Sequence, residues 1–165
     1  MKNIILSISI FVFITACASK LNTTQGSKCE PKWYKNQEQS NEKFVYGYSW
    51  EKSRNSSLAS KKGMAQAQSL ALNQINQIIK DQLIIGIEEV EAATGKSISA
   101  DYRDATYNEL KVTTDQECKD CVRDKFADCE DDGFIVVYTR VKLSKDSYIN
   151  NDLENQIKKK LENSE

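Results

Sequence analysis

Residues 42–50, EKFVYGYSW, alternate between large and small side chains. Phe44, Tyr46, Tyr48 and Trp50 fall on one face and Val45, Gly47 and Ser49 on the other, the period of two that marks a strand. The small face predicts a helix lying close against the strand backbone, a common reason for a glycine inside a strand. Further on the period lengthens. Met64, Ala67, Ala71, Ile75 and Ile78 recur at spacings of three and four, with Leu72 and Ile79 widening the stripe. Gln66, Asn73, Gln74, Gln77 and Lys80 take the other side, and Ser56 and Ser57 offer an N-cap. The stripe begins in alanines and ends in isoleucines, so its near end suits the small face of the strand. Gly63 costs the first turns about 1 kcal/mol relative to alanine.

The rest of the chain alternates between clear and ambiguous patterns. Residues 82–95, QLIIGIEEVEAATG, fit either a continuation of the long helix or a second strand, and Gly95 ends the segment in both cases. Residues 99–112 suit a shorter helix capped by Ser99, with Tyr102, Ala105 and Leu110 inward. In 134–143, FIVVYTRVKL, Ile135, Val137, Val141 and Leu143 share one face of a strand. Phe134, Val136 and Tyr138 give way to Arg140 and Lys142 on the other. The segment around 111–123 is its expected partner, which would put the neighbouring cysteines in a hairpin. The remainder, 144–165, reads as a helix capped by Ser144, with Ile149, Leu153, Ile157 and Leu161 on one side. The expected fold is α+β: a small antiparallel sheet, a long helix packed on it and an extra C-terminal helix.

The N-terminus reads MKNIILSISIFVFITACASK. Lys2 precedes an apolar run from Ile4 to Ile14, too short for a helix that spans a bilayer but suited to the core of a secretory signal. The run ends in Ile14-Thr15-Ala16-Cys17, which resembles the lipobox of bacterial lipoproteins. That resemblance implies a signal peptide over 1–16, cut away once the Cys17 thiol carries a diacylglycerol, and acylation of the new amino group. One acyl chain holds a protein to a bilayer only marginally, whereas two or three make release negligible. Ala18-Ser19 lacks the aspartate that retains such lipoproteins in the inner membrane, which implies an outer-membrane location. Residues 17–28 then form the lipidated cysteine and a polar tether without periodicity, and 29–143 the folded domain.

Within that domain the order of residues resembles the LPP20-type bacterial lipoproteins, a family that includes flagellar-associated envelope proteins. The likeness rests on Pro31-Lys32-Trp33, on the aromatic strand Phe44-Val45-Tyr46-Gly47-Tyr48-Ser49, and on a helix spaced by Ala59, Ala65, Ala67 and Ala71 with Leu72 and Ile75. The late strand FIVVYTRVKL completes it. Two features depart from the pattern. Tyr48 or Ser49 stands where many members carry a second glycine, and the cysteine-rich run is an addition. The resemblance implies a dodecin-like β-α-β-β core and a non-catalytic envelope role, with no catalytic residues to carry over.

Charge and cysteine usage refine this picture. The chain has 23 basic and 24 acidic residues, and loss of 1–16 removes only Lys2, so nothing recommends nucleic acid as a partner. No histidine occurs, which excludes histidine triads and histidine metal ligands. Apart from Cys17, four cysteines remain: Cys29, Cys118, Cys121 and Cys129. An even number in an oxidising compartment predicts two disulfides, with three connectivities open. Cys118 and Cys121 have the C-x-x-C spacing of redox sites. Asp115, Glu117, Asp120 and Asp124 crowd them with negative charge, which disfavours a thiolate. Zinc held by four thiolates would have to outcompete oxidation, and DCEDDG departs from a calcium loop at Glu130 and Thr139, so no cofactor is expected.

The expectation that follows is a lipid-anchored envelope protein, not an enzyme, whose partners are the bilayer and either itself or another envelope protein. Phe44, Tyr46, Tyr48 and Trp50 are its candidate interaction face unless a helix of the same chain covers them. The alternative is a thiol-active protein working through the C-x-x-C pair.

Overall fold

Strand β1 (Phe44–Ser53) turns at Asn55 into helix α2 (Ser56–Thr94), and Gly47 decides how the two meet. A Cβ at residue 47 would lie 1.8 Å from the Ala67 carbonyl oxygen and 2.8 Å from the Ala71 nitrogen, so helix backbone packs directly on strand backbone. Ser49 Oγ donates to the Gly63 carbonyl at 2.5 Å and ties the first turns to the same strand. The expectation of a closely seated helix is met. Gly63 belongs to the contact itself. The N-cap is Asn55, whose Oδ1 accepts from the Leu58 N–H at 3.0 Å; Ser56 and Ser57 sit one and two residues further in, exposed. Asparagine caps as well as serine does, so the first capping residue met by the chain takes the position.

The computed structural model describes residues 29–111, 118, 120–149 and 151–162. A single turn, α1 (Lys32–Lys35), precedes β1; α3 (Ala100–Leu110), β2 (Val122–Asp131), β3 (Phe134–Ser144) and α4 (Asn151–Glu162) follow α2. The architecture is α+β: an antiparallel three-stranded sheet in the order β1-β3-β2 with the long helix on one face. Residues 82–95 continue the helix, which stops at Gly95 in the left-handed region, its N–H donating to Glu91 O.

Helix α2 lies on β1 and β3. Its buried positions Ala67, Ala71, Leu72, Ile75, Ile79, Leu83 and Ile87 meet Val45 and Leu143 from the sheet. Ile157 and Leu161 of α4 join this core beside Gly86, and Tyr102 of α3 donates to the Lys160 carbonyl. Met64 and Ile78, expected in the stripe, are half-buried at its margins.

Three boundaries differ from those read in the sequence. The strand beside β3 is 122–131, not the segment around 111–123; the two join through Asp132 and Gly133, both at positive φ, as a tight hairpin requires. Ser144 pairs with Phe44 at the end of β3, and the last helix begins further on, at Asn151. On α3 the inward stripe is Tyr102, Thr106 and Leu110 in steps of four, leaving Ala105 exposed. Residues 1–16, the tether 17–28, Cys17 and the side chain of Leu153 lie outside the described residues.

Candidate functional site

On the sheet face away from α2, β1 and β3 set their aromatic residues side by side. Trp50 pairs across to Tyr138, Tyr48 to Arg140 and Tyr46 to Lys142. Among the described residues, none of the later helices covers this face. Residues 29–41 do, as a flap ahead of β1. Tyr34 of α1 packs edge-on against Tyr138 with ring centroids 4.9 Å apart, and against Tyr48 at 6.2 Å. Trp33 lies 6.5 Å from Tyr48. The Tyr48 hydroxyl donates to the Glu38 carbonyl and accepts from the Glu38 N–H, while Tyr46 accepts from Asn41 Nδ2 at 2.8 Å.

The proposed interaction row is therefore divided. Tyr46 and Tyr48 are 7% and 6% exposed beneath their own chain, and Phe44 is half-buried with the Lys142 ammonium 5.2 Å from its ring centroid. Only Trp50, at 38%, remains open to a partner. The helices that the sequence offers as cover are 99–112 and the C-terminal one. The flap covers the row instead, and Trp33-Tyr34 amid polar residues just after Cys29 was the available signal.

A charge is held inside this aromatic cover. The Arg140 guanidinium pairs with Asp124 and lies 4.6 Å from the Tyr46 ring centroid. Burial alone would lower its pKa, but the Tyr48 hydroxyl and the Asp124 carboxylate outweigh burial and raise it. Tyr34 is pushed up to about 12, first by burial and then by the neighbouring Glu30 charge.

The cysteines settle into one of the three open connectivities. Cys29 stands at disulfide distance from Cys129, Cα to Cα 6.4 Å, and Cys118 from Cys121 at 5.2 Å. The first pair fastens the start of the flap to β2 across 100 residues of chain. Cys129 is opposite Val136 inside β2, so it is a strand residue and not part of a hairpin tip. The second pair forms a turn ahead of β2, with the Cys121 N–H donating to Cys118 O at 3.1 Å, and packs against the helical core. Among the described residues, no group of three or more His, Cys, Asp or Glu is placed to hold a metal ion.

A cleft of about 400 Å³ opens along the free edge of β1, between the flap and the flank of α2. Gln39, Tyr46, Asn73, Gln74 and Gln77 line it. In the sequence Asn73, Gln74 and Gln77 stand only as the polar side of the helical stripe.

Flap, sheet and helix define a small α+β domain whose first described residue is fastened to its far edge strand. Comparison with protein families, with curated proteins and with solved structures found no match to this chain. Among the described residues no helix is long and apolar enough to cross a membrane.

Proposed function

We propose that this chain is a lipid-anchored envelope protein, held to the outer membrane through acylated Cys17, whose domain serves a structural or protein-interaction role and no catalysis. The observation that carries this reading is the position of Cys29. The polar stretch from residue 17 enters the domain there, and Cys29 is bridged to Cys129 in β2. Tension arriving along a tether would pass straight into the sheet and leave the flap seated on its aromatic residues. The lipobox Ile14-Thr15-Ala16-Cys17 and the LPP20-type pattern from Pro31 to Leu143 support the same reading. Trp50 and the outer flank of α2 are the surfaces offered to a second copy or to another envelope protein.

The test is fractionation with cross-linking in intact cells. The wild-type chain should sediment with outer membrane and give a discrete cross-linked species, while Cys17→Ala, which keeps its leader uncut, should be lost from the outer-membrane fraction. Uncross-linked monomer alone would remove the assembly role.

One observation favours a second reading. Cys118 and Cys121 face each other and not the other two cysteines, as a redox-active C-x-x-C pair would. In that role the disulfide would accept two electrons and two protons from a substrate dithiol, which leaves as its own disulfide. Alkylation of protein taken from cells without reductant separates the readings: rapid labelling of Cys118 supports the thiol role, and four blocked cysteines with a strongly negative reduction potential remove it.

A further inference from the structure

We infer that the cleft along β1 is a binding site for an uncharged, N-acetylated glycan. The sheet order leaves one edge of β1 without a strand partner. At Tyr46 the chain itself satisfies that edge. The Tyr46 N–H donates to Gln39 O at 2.9 Å, and its carbonyl accepts from Gln74 Nε2 at 2.7 Å. An extended peptide adding to the sheet would find these main-chain groups already engaged. What the cleft still offers is side-chain amide.

Those amides are held in place. Gln74 Nε2 also donates to Gln39 Oε1 at 3.0 Å, so both of its hydrogens are committed and its own oxygen is left as an acceptor. Gln39, with its oxygen engaged, keeps its N–H pair as donors. Gln77 donates one N–H to Asp81 at 2.8 Å and retains the other beside its oxygen. Asn73 and Gln77 stand four residues apart, on one flank of a helix. Gln39, Gln74 and Gln77 thus present donors and acceptors that are held in place before any ligand arrives, which lowers the cost of ordering on binding.

The lining also excludes whole classes of ligand. Among the described residues it contains no Asp, Glu, Lys or Arg, although 28% of the chain is charged and such residues sit mainly on surfaces. A phosphate or carboxylate ligand would be desolvated there without a counter-charge. Sugar hydroxyls and acetamido groups, each both donor and acceptor, match the amides. Leu70, 41% exposed at the rim, suits an acetyl methyl. The volume falls within the range of about 300–1,000 Å³ usual for small-molecule sites.

The assignment names a ligand class for the envelope-facing domain and rests on that reading only for the ligand's source. The experiment uses the full chain carrying Cys17→Ala in a zwitterionic detergent, titrated with N,N′,N″-triacetylchitotriose and followed through the side-chain amide signals of Gln39, Asn73 and Gln77. Saturable shifts of these signals are expected. Asn73→Ala and Leu70→Ser should each weaken binding about tenfold without moving the melting temperature, and cellotriose, lacking acetamido groups, should bind about tenfold more weakly. No saturation up to about 10 mM, or equal affinity in wild type and Asn73→Ala, overturns the assignment. So does preferential binding of an uncharged extended peptide. Acylation of Cys17 is measured separately, so failure of one claim is not mistaken for failure of the other.

Discussion

At residue 47 the chain permits no side chain. Because the would-be Cβ meets helix backbone and not a movable side chain, Gly47→Ala must displace α2 from the sheet. We expect a loss of about 3 kcal/mol or more in a urea titration, at the upper end of overpacking costs. A loss below about 1 kcal/mol would mean that the helix is not seated as described. Tyr34 carries a different signature. Its raised pKa means that the folded chain keeps the phenolic proton to about pH 12, whereas an unfolded tyrosine releases it near pH 10. The stabilising effect is complete below pH 10 and is lost as pH rises through this window, because the unfolded state then binds fewer protons. Tyr34→Phe should flatten the fall in stability between pH 10 and 12 relative to wild type. Identical alkaline limbs would show that the ring is not seated against Tyr48 and Tyr138 of the sheet.

At the scale of elements, the two cysteine pairs should differ sharply in what they contribute. In the chain-entropy model, a bridge across 100 residues restricts the unfolded chain by about 4–5 kcal/mol, and one across three residues by about 2. Replacing Cys29 and Cys129 by serine should therefore lower the denaturant midpoint much more than replacing Cys118 and Cys121. It should also shift Trp33 emission to the red as the flap loosens. Equal midpoints for the two variants would contradict the pairing. The elements that could be read in the sequence are those whose two faces differ in kind. β1 is aromatic on one side and small on the other, β3 is apolar on its helix side except at Thr139, and Ser99 does cap α3, accepting from the Tyr102 N–H. β2 could not be found the same way. It is an edge strand outside the footprint of α2, so its helix-side Phe126 is 42% exposed under Arg123, and charged residues take most other positions. With no position fully buried, it leaves little apolar periodicity to read.

For the molecule as a whole, the layers followed from local pattern while the cover of the aromatic face did not. Helix-on-sheet packing is written in Val45, Gly47 and Ser49 against Gly63, Ala67 and Ala71, all between residues 45 and 71. The flap is a non-local device. Its contacts run from Tyr34 to Tyr138 and from Cys29 to Cys129, and no spacing in residues 29–41 encodes which face they meet. The candidate site was legible to the same degree. Tyr46 and Tyr48 could be placed on one face, but their burial depended on that distant pairing. The cleft amides read only as a polar helix face, because what makes them a site is the return of Gln39 onto the strand edge.

The most direct measurement is the mass of the N-terminal peptide of protein purified from membranes. It should begin at residue 17 and carry a diacylglycerol in thioether linkage with a further acyl chain on the amino group. An unmodified terminus at any other residue, with the residue-17 thiol free, would contradict the envelope anchor on which the functional proposal depends.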